Sequence, residues 1–193
     1  MKRLLLAAAL FAGFAGAAQA AKYEIDARHT QVLFTYNHFG YSNITGRFTE
    51  VSGTFDFDAK DPTKSSIDVQ LPISSVSTGV VKMDEHLRSA DMFDEAKFPT
   101  ASFKSTKVTS AGGNKLKVAG DLTIHGVTRP VVFDVTINST APKRDTPAAG
   151  FDATTTIKRS DFDVKFMLPG VPDEIKLNIT MEAKAASEAP AAK

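Results

Sequence analysis

Val32-Leu33-Phe34-Thr35-Tyr36-Asn37-His38-Phe39 has a period of two. Val32, Phe34, Tyr36 and His38 share one face, and Leu33, Thr35, Asn37 and Phe39 share the other. Successive side chains on a strand point to opposite faces, and β-branched and aromatic residues favour strands. The run therefore predicts a strand within a longer alternating stretch, Tyr23 to Phe39. Outward from it the pattern recurs. Arg47 to Asp58 sets Phe55 and Phe57 against Thr54, Asp56 and Asp58, with Gly53 in mid-run predicting a bulge or bend. Ile67, Val69 and Leu71 alternate with Asp68 and Gln70. Strand signals return at residues 101–106, 116–124, 131–137, 151–157 and 175–181. Ala111-Gly112-Gly113-Asn114 and His125-Gly126 mark turns, and residues 141–150 a loop. Only Val81 to Phe93 breaks the rhythm: Met83 and Leu87 stand four apart among polar residues, which fits one or two helical turns.

Eight or nine short strands with regular turn signals predict a sandwich or a barrel. About eight antiparallel strands closed on themselves leave an interior wide enough for one small ligand. The fold class read from the sequence is all-β, an eight-stranded antiparallel barrel with a short helical insertion. The chain has 14 phenylalanines, three tyrosines and no tryptophan. Phenylalanine has no polar handle, so this surplus suits an apolar interior, whether packed or hollow.

The N-terminus reads as a signal peptide over residues 1–20. Lys2 and Arg3 precede an apolar run from Leu4 to Ala18, and Ala18-Gln19-Ala20 forms a small-x-small cleavage site. The expected domain is 21–185, with a frayed, Ala-rich tail at 186–193. With 23 basic and 22 acidic residues, the chain lacks the basic excess of a nucleic-acid binder. It has no cysteine, which excludes disulfides and thiol chemistry.

Several motifs, spread over almost the whole mature chain, carry a resemblance to a known family. They are Asp26-Ala27-Arg28-His29-Thr30, Asn37-His38-Phe39, Gly46-Arg47-Phe48, residues 84–93 (DEHLRSADMF), Phe98-Pro99, residues 120–128 (GDLTIHGVT) and Arg159-Ser160-Asp161-Phe162. In this order the chain resembles the YceI-like family of periplasmic, lipocalin-like polyisoprenoid-binding proteins. The resemblance implies an extended lipocalin-like barrel with a lipid channel, a periplasmic location, and binding and transport rather than catalysis. The implied partner is a long-chain apolar lipid, a polyisoprenoid or an isoprenoid quinone, with transient membrane contact and a homodimer as further expectations. No cofactor is expected. Asp163 stands where the family commonly has glycine, so a left-handed turn there would carry a side chain.

The candidate ligand-contacting residues are Phe34, Tyr36, His38, Phe48, Phe55, Phe103, Phe133 and Val135 on the alternating strands. His86, Arg88 and Arg159 are candidates for a polar head group, since guanidinium suits phosphate through paired hydrogen bonds. The plainer reading of Arg88, Asp91, Arg159 and Asp161 is a set of ion pairs anchoring the helical insertion to the barrel rim. His29 and His38 are nine apart and would face opposite sides of one regular strand, which argues against local chelation. No metal ligand or catalytic group is expected. Two alternatives stand beside the carrier. One is a fatty-acid or fatty-amide binding stress protein. The other is an enzyme acting on a lipid head group, with His86, Asp84 or Asp91 as acid–base groups.

Energetics favour a shuttle. Burying a methylene contributes ~0.8 kcal/mol relative to water. A membrane lipid, however, starts in hydrocarbon, so its tail gains little on entering an apolar barrel, and exchange runs in both directions.

Overall fold

The computed structural model describes residues 21–186. The expected signal segment, and all but the first residue of the expected tail, lie outside them. The described chain forms eleven strand segments and one α-helix: β1 (Ala21–Ile25), β2 (Gln31–His38), β3 (Ser42–Phe48), β4 (Ser52–Phe57), β5 (Ser66–Pro72), β6 (Val76–Ser77), α1 (Val81–Arg88), β7 (Thr100–Ser110), β8 (Lys115–Ile124), β9 (Val127–Ser139), β10 (Ala148–Lys158) and β11 (Glu174–Ala185).

These segments make eight staves. β1 and β2 both pair with β11, Ile25 opposite Ala183 and Val32 opposite Ile179, so together they form one interrupted strand. β3 pairs with β2 and β4 with β1, which makes β3 and β4 the second stave. β5 lies on β4 and β6 on β3, completing the third. β7 through β11 follow as an antiparallel meander, and the pairing of β11 with β1 and β2 closes the barrel. Closure removes the open edges along which an exposed sheet would pair with other chains.

The single alternating strand expected from Tyr23 to Phe39 is in fact broken. At Asp26 the side chain accepts from the Arg28 N–H (3.1 Å) and the backbone carbonyl from the His29 N–H (3.0 Å). Aspartate readily supports such a local turn. The five intervening residues invert the phase: odd-numbered Tyr23 faces the core before the break, and even-numbered Val32 and Phe34 face inward after it. The next stave repeats this, with Phe48 inward before residues 49–51 and Phe55 and Phe57 inward after them.

Gly53 marks a close approach rather than a bulge. Its φ is 142°, and a Cβ there would lie 2.1 Å from the Asp68 carbonyl oxygen on β5. The bulges lie instead in β7, between Ser105 and Lys107, and in β9, where Asn138 is the extra residue opposite Gly150–Phe151 of β10. The helix is shorter than the expected 81–93. It ends where Ser89 folds back, its N–H (3.0 Å) and hydroxyl (2.7 Å) both donating to the His86 carbonyl. Residues 89–98 continue as turns. Asp163 does take the left-handed conformation (φ 61°), which aspartate tolerates better than most side chains.

At one end of the barrel the interior is packed. Tyr23, Phe55, Phe57 and Phe151 form an aromatic cluster with Met181, and the Phe151 ring meets Phe55 and Phe57 edge-on at 5.3 and 5.2 Å. At the other end the helix and the loops 89–98 and 163–173 cover an opening in which Phe34, Val76 and Leu87 are buried.

Candidate functional site

The barrel is hollow between these ends. An inner cavity of about 180 Å³ is lined by the inward faces of β4, β5, β7, β8, β9 and β10, including Phe55, Phe103, Phe133 and Val135. An outer cavity of about 320 Å³ lies under α1 and the 163–173 loop. Val32, Leu71, Leu122 and Leu177 line both, so the two are consecutive chambers of one interior. An apolar cavity of roughly 150 Å³ already stays dry and accepts a benzene-sized guest. The inner walls offer only the hydroxyls of Thr30, Ser65 and Ser66, and the Thr30 Oγ1 is buried without a partner.

The outer chamber holds the polar groups. Phe34, Tyr36, His38, Phe48, His86 and Arg159 all line it. The Tyr36 hydroxyl donates to the Met83 sulfur at 3.5 Å, a weak acceptor. Burial pushes this phenol above its ordinary pKa, so it remains a donor at neutral pH. The His86 ring meets Phe166 edge-on at 5.0 Å, and His38 meets Phe39 in the same way at 4.8 Å.

The two arginines singled out from the sequence have different environments. Arg88 lies outside both chambers and pairs with Glu95 at 3.5 Å, not with Asp91. The backbone brings this partner in, because the Glu95 N–H donates to the Arg88 carbonyl (3.0 Å). Arg159 is buried, 6% exposed, and its guanidinium is committed to four backbone carbonyls. Nε donates to Pro172, Nη1 to Val164 and Phe166, and Nη2 to Val171, at 2.8–3.1 Å. Burial lowers its pKa and the nearby Asp173 opposes this; arginine stays charged in such surroundings. Arg159 therefore ties the 163–173 loop over the chamber, and carbonyls of that loop take the place of the ion pairs expected among Arg88, Asp91, Arg159 and Asp161. Asp173 is held by the Ser160 N–H and hydroxyl at 2.8 and 2.7 Å.

The groups considered for acid–base chemistry are dispersed. Asp84 accepts from the Thr78 N–H and hydroxyl at 2.6 and 2.7 Å and steadies the entry to the helix. His125 sits in the β8–β9 turn at φ 52° with its ring against Phe98 at 4.8 Å. His29 bonds Asp26 at 2.9 Å, and Glu182 brings a third donor within 4.8 Å. That cluster is already served by cations, Arg28 on Asp26 and Lys143 on Glu182.

Sequence reasoning missed much of the outer chamber. By the period-two alternation Phe39 belongs to the opposite face of its strand. It turns into the chamber because it leaves β2 in a left-handed conformation (φ 51°). Phe166 and Met167 come from a loop with no periodicity to read. Their signal was compositional: an apolar run, Phe166-Met167-Leu168, set among prolines and a glycine.

A family model described as a YceI-like domain matches residues 23–183. The chain is 40% identical over 174 residues to protein YceI of Escherichia coli O157:H7, covering 87% of its own length and 89% of that protein. Its structure resembles the crystal structure of Burkholderia cenocepacia BcnA with a TM-score of 0.76 at 26% identity, over 82% of this chain and 99% of that one. It also resembles a structure described as a polyisoprenoid binding domain from Saccharophagus degradans implicated in plant cell wall breakdown. There the TM-score is 0.68 at 15% identity, over 86% and 99% of the two chains, a likeness of fold.

Proposed function

The chain belongs to the YceI-like family, and from that premise we propose that it is an exported, periplasmic carrier for a long-chain isoprenoid lipid with a neutral head group, such as an isoprenoid quinone. The observation that carries this reading is the pair of consecutive chambers, of about 180 and 320 Å³, with almost no polar wall at the inner end. A long apolar tail suits such a space, and the domain of similar fold described as polyisoprenoid-binding supports the ligand class. The signal-like N-terminus supports export.

The head group follows from the outer chamber. Among the described residues lining either chamber, Arg159 alone carries a permanent charge, and carbonyls already take its donors. A phosphate or carboxylate would thus be buried without a free cation, which costs several kcal/mol. A carbonyl would instead accept from the Tyr36 hydroxyl, displacing the weaker thioether, with His38 and His86 as further polar neighbours. This argues for binding rather than catalysis, since Asp84 is committed to Thr78.

The test is native mass spectrometry of protein purified from its own host, followed by extraction of the retained lipid. A neutral isoprenoid with a carbonyl or hydroxyl head is expected. A phosphorylated lipid, or lipid-free protein, would contradict the reading.

A further inference from the structure

Of the four methionines among the described residues, three line the outer chamber: Met83 on α1, Met92 in the turns that follow it, and Met167 in the 163–173 loop. The fourth, Met181, is 8% exposed and packs into the aromatic cluster at the other end of the barrel. The chain has no cysteine, so these thioethers are its most readily oxidised sulfur groups. Oxidants in solution have access to them: Met167 is 48% exposed, and Met83 and Met92 are half-buried. Met83 and Met167 lie on segments that touch. His86, one turn beyond Met83 on the helix, packs on Phe166, the neighbour of Met167.

Met83 is set apart by its partner. Its sulfur accepts the Tyr36 hydroxyl at 3.5 Å, and that hydroxyl is the donor a ligand carbonyl would use. A thioether is a weak acceptor, so a carbonyl displaces it readily. Oxidation reverses this balance. A sulfoxide is polar, and its oxygen accepts a hydrogen bond far better than sulfur does. On Met83 the new oxygen stands beside the Tyr36 hydroxyl, where the head group of a ligand has to arrive.

We propose that Met83 is an oxidative modification site that controls loading of the chamber: its sulfoxide captures the Tyr36 hydroxyl and excludes a carbonyl head group. The inference rests on the carrier reading and names a regulation of that same site. The oxidant is an electrophilic oxygen donor of the hypochlorous acid class. Its oxygen passes to Sδ, the sulfur gives up two electrons, the O–Cl bond breaks, and chloride and a proton are released. A thiol-dependent sulfoxide reductase returns the thioether, with two thiols oxidised to a disulfide and the oxygen leaving as water. The modification is therefore reversible.

The experiment treats lipid-free protein with limiting hypochlorous acid and maps oxygen addition by peptide mass spectrometry. Binding of ubiquinone-2, a short isoprenoid quinone, is titrated before and after. Met83 and Met167 should oxidise well ahead of Met181, and binding should weaken ~tenfold, the worth of one hydrogen bond. Methionine sulfoxide reductase with dithiothreitol should restore it. Met83→Leu removes the sulfur at similar volume, and Tyr36→Phe removes the donor. Each variant is compared with itself, and its affinity should be the same before and after oxidant. Met167→Leu should still show the loss. Met83 no more reactive than Met181, or wild-type binding that survives oxidation of Met83, would overturn the proposal. So would a loss that persists in Met83→Leu, which would assign the effect to Met92 or Met167, or one that persists in Tyr36→Phe, which would remove the hydroxyl from it. Untreated wild type that takes up no ubiquinone-2 defeats the carrier reading and this inference with it. Uptake that is indifferent to Met83 oxidation defeats this inference alone.

Discussion

The tip of the Phe34 ring sits against Gly46 on the neighbouring strand, where a Cβ would lie only 2.2 Å from the ring's Cζ. The two are register partners between β2 and β3, and the ring forms part of the outer chamber wall. Gly46 is thus required by side-chain space, not by an unusual backbone conformation.

Gly46→Ala should push the Phe34 ring into the chamber. Such overpacking costs ~1–3 kcal/mol, and the lipid retained through purification should fall. Phe34→Ala in the same chain should relieve the clash, so the pair should be clearly non-additive in thermal unfolding. Additive losses would mean that the ring does not occupy the space above Gly46.

Arg159→Ala should cost on the order of 3 kcal/mol, because four carbonyls lose their donors beneath the loop. Arg159→Lys should recover little, since an ammonium cannot match the planar fork. Hydrogen exchange should rise across residues 163–173 more than in β7–β9. A variant of wild-type stability that lost only lipid would instead place the guanidinium on the ligand.

Asp26 gives the acid limb of stability a specific contributor. Its hydrogen bond to His29, against the opposing effect of burial and with help from the Arg28 backbone and guanidinium, holds its pKa at about 2, below the ordinary 3.8. Because the folded-state value is the lower one, this contribution is complete above about pH 4 and is lost as the pH falls through 2. Asp26→Asn should therefore be less stable than wild type at neutral pH, and the gap should narrow as the pH drops from 4 toward 2. Denaturant titrations at successive pH values measure it; a gap of constant size would remove Asp26 from the acid limb.

The barrel was legible in the sequence because the inward faces of β5, β8, β10 and β11 and of β9 up to Ile137 keep a period of two, as in Ile67, Val69 and Leu71. It was less legible in the first two staves. There, residues 26–30 and 49–51 invert the phase, so a face assigned by odd or even number before each break does not carry over to the residues after it. The inner chamber could be anticipated from Phe103, in the alternating first half of β7, and from Phe133 and Val135 in β9. The outer one could not, since Phe166, Met167 and the left-handed Phe39 reach it through loop conformation. Arg159 shows the other limit. Its residue type suits phosphate as well as carbonyl oxygen, and only the path of the 163–173 backbone decides between them.

The central claim is that the interior is space for a lipid tail and not a filled core. Val135 lines the inner chamber, with Asp134 and half-buried Thr136 beside it in β9 and neither in the cavity wall. The direct measurement is the native mass of Val135→Trp beside that of the wild-type protein, both purified from the original host, with thermal unfolding of the lipid-free forms as a check on folding. Wild type should carry the added mass of a long apolar lipid. The variant, with an indole in the inner chamber, should lose that lipid or retain a shorter one at near-native stability. Wild type without added mass, together with a variant destabilised by the ~1–3 kcal/mol of an overpacked core, would contradict the account.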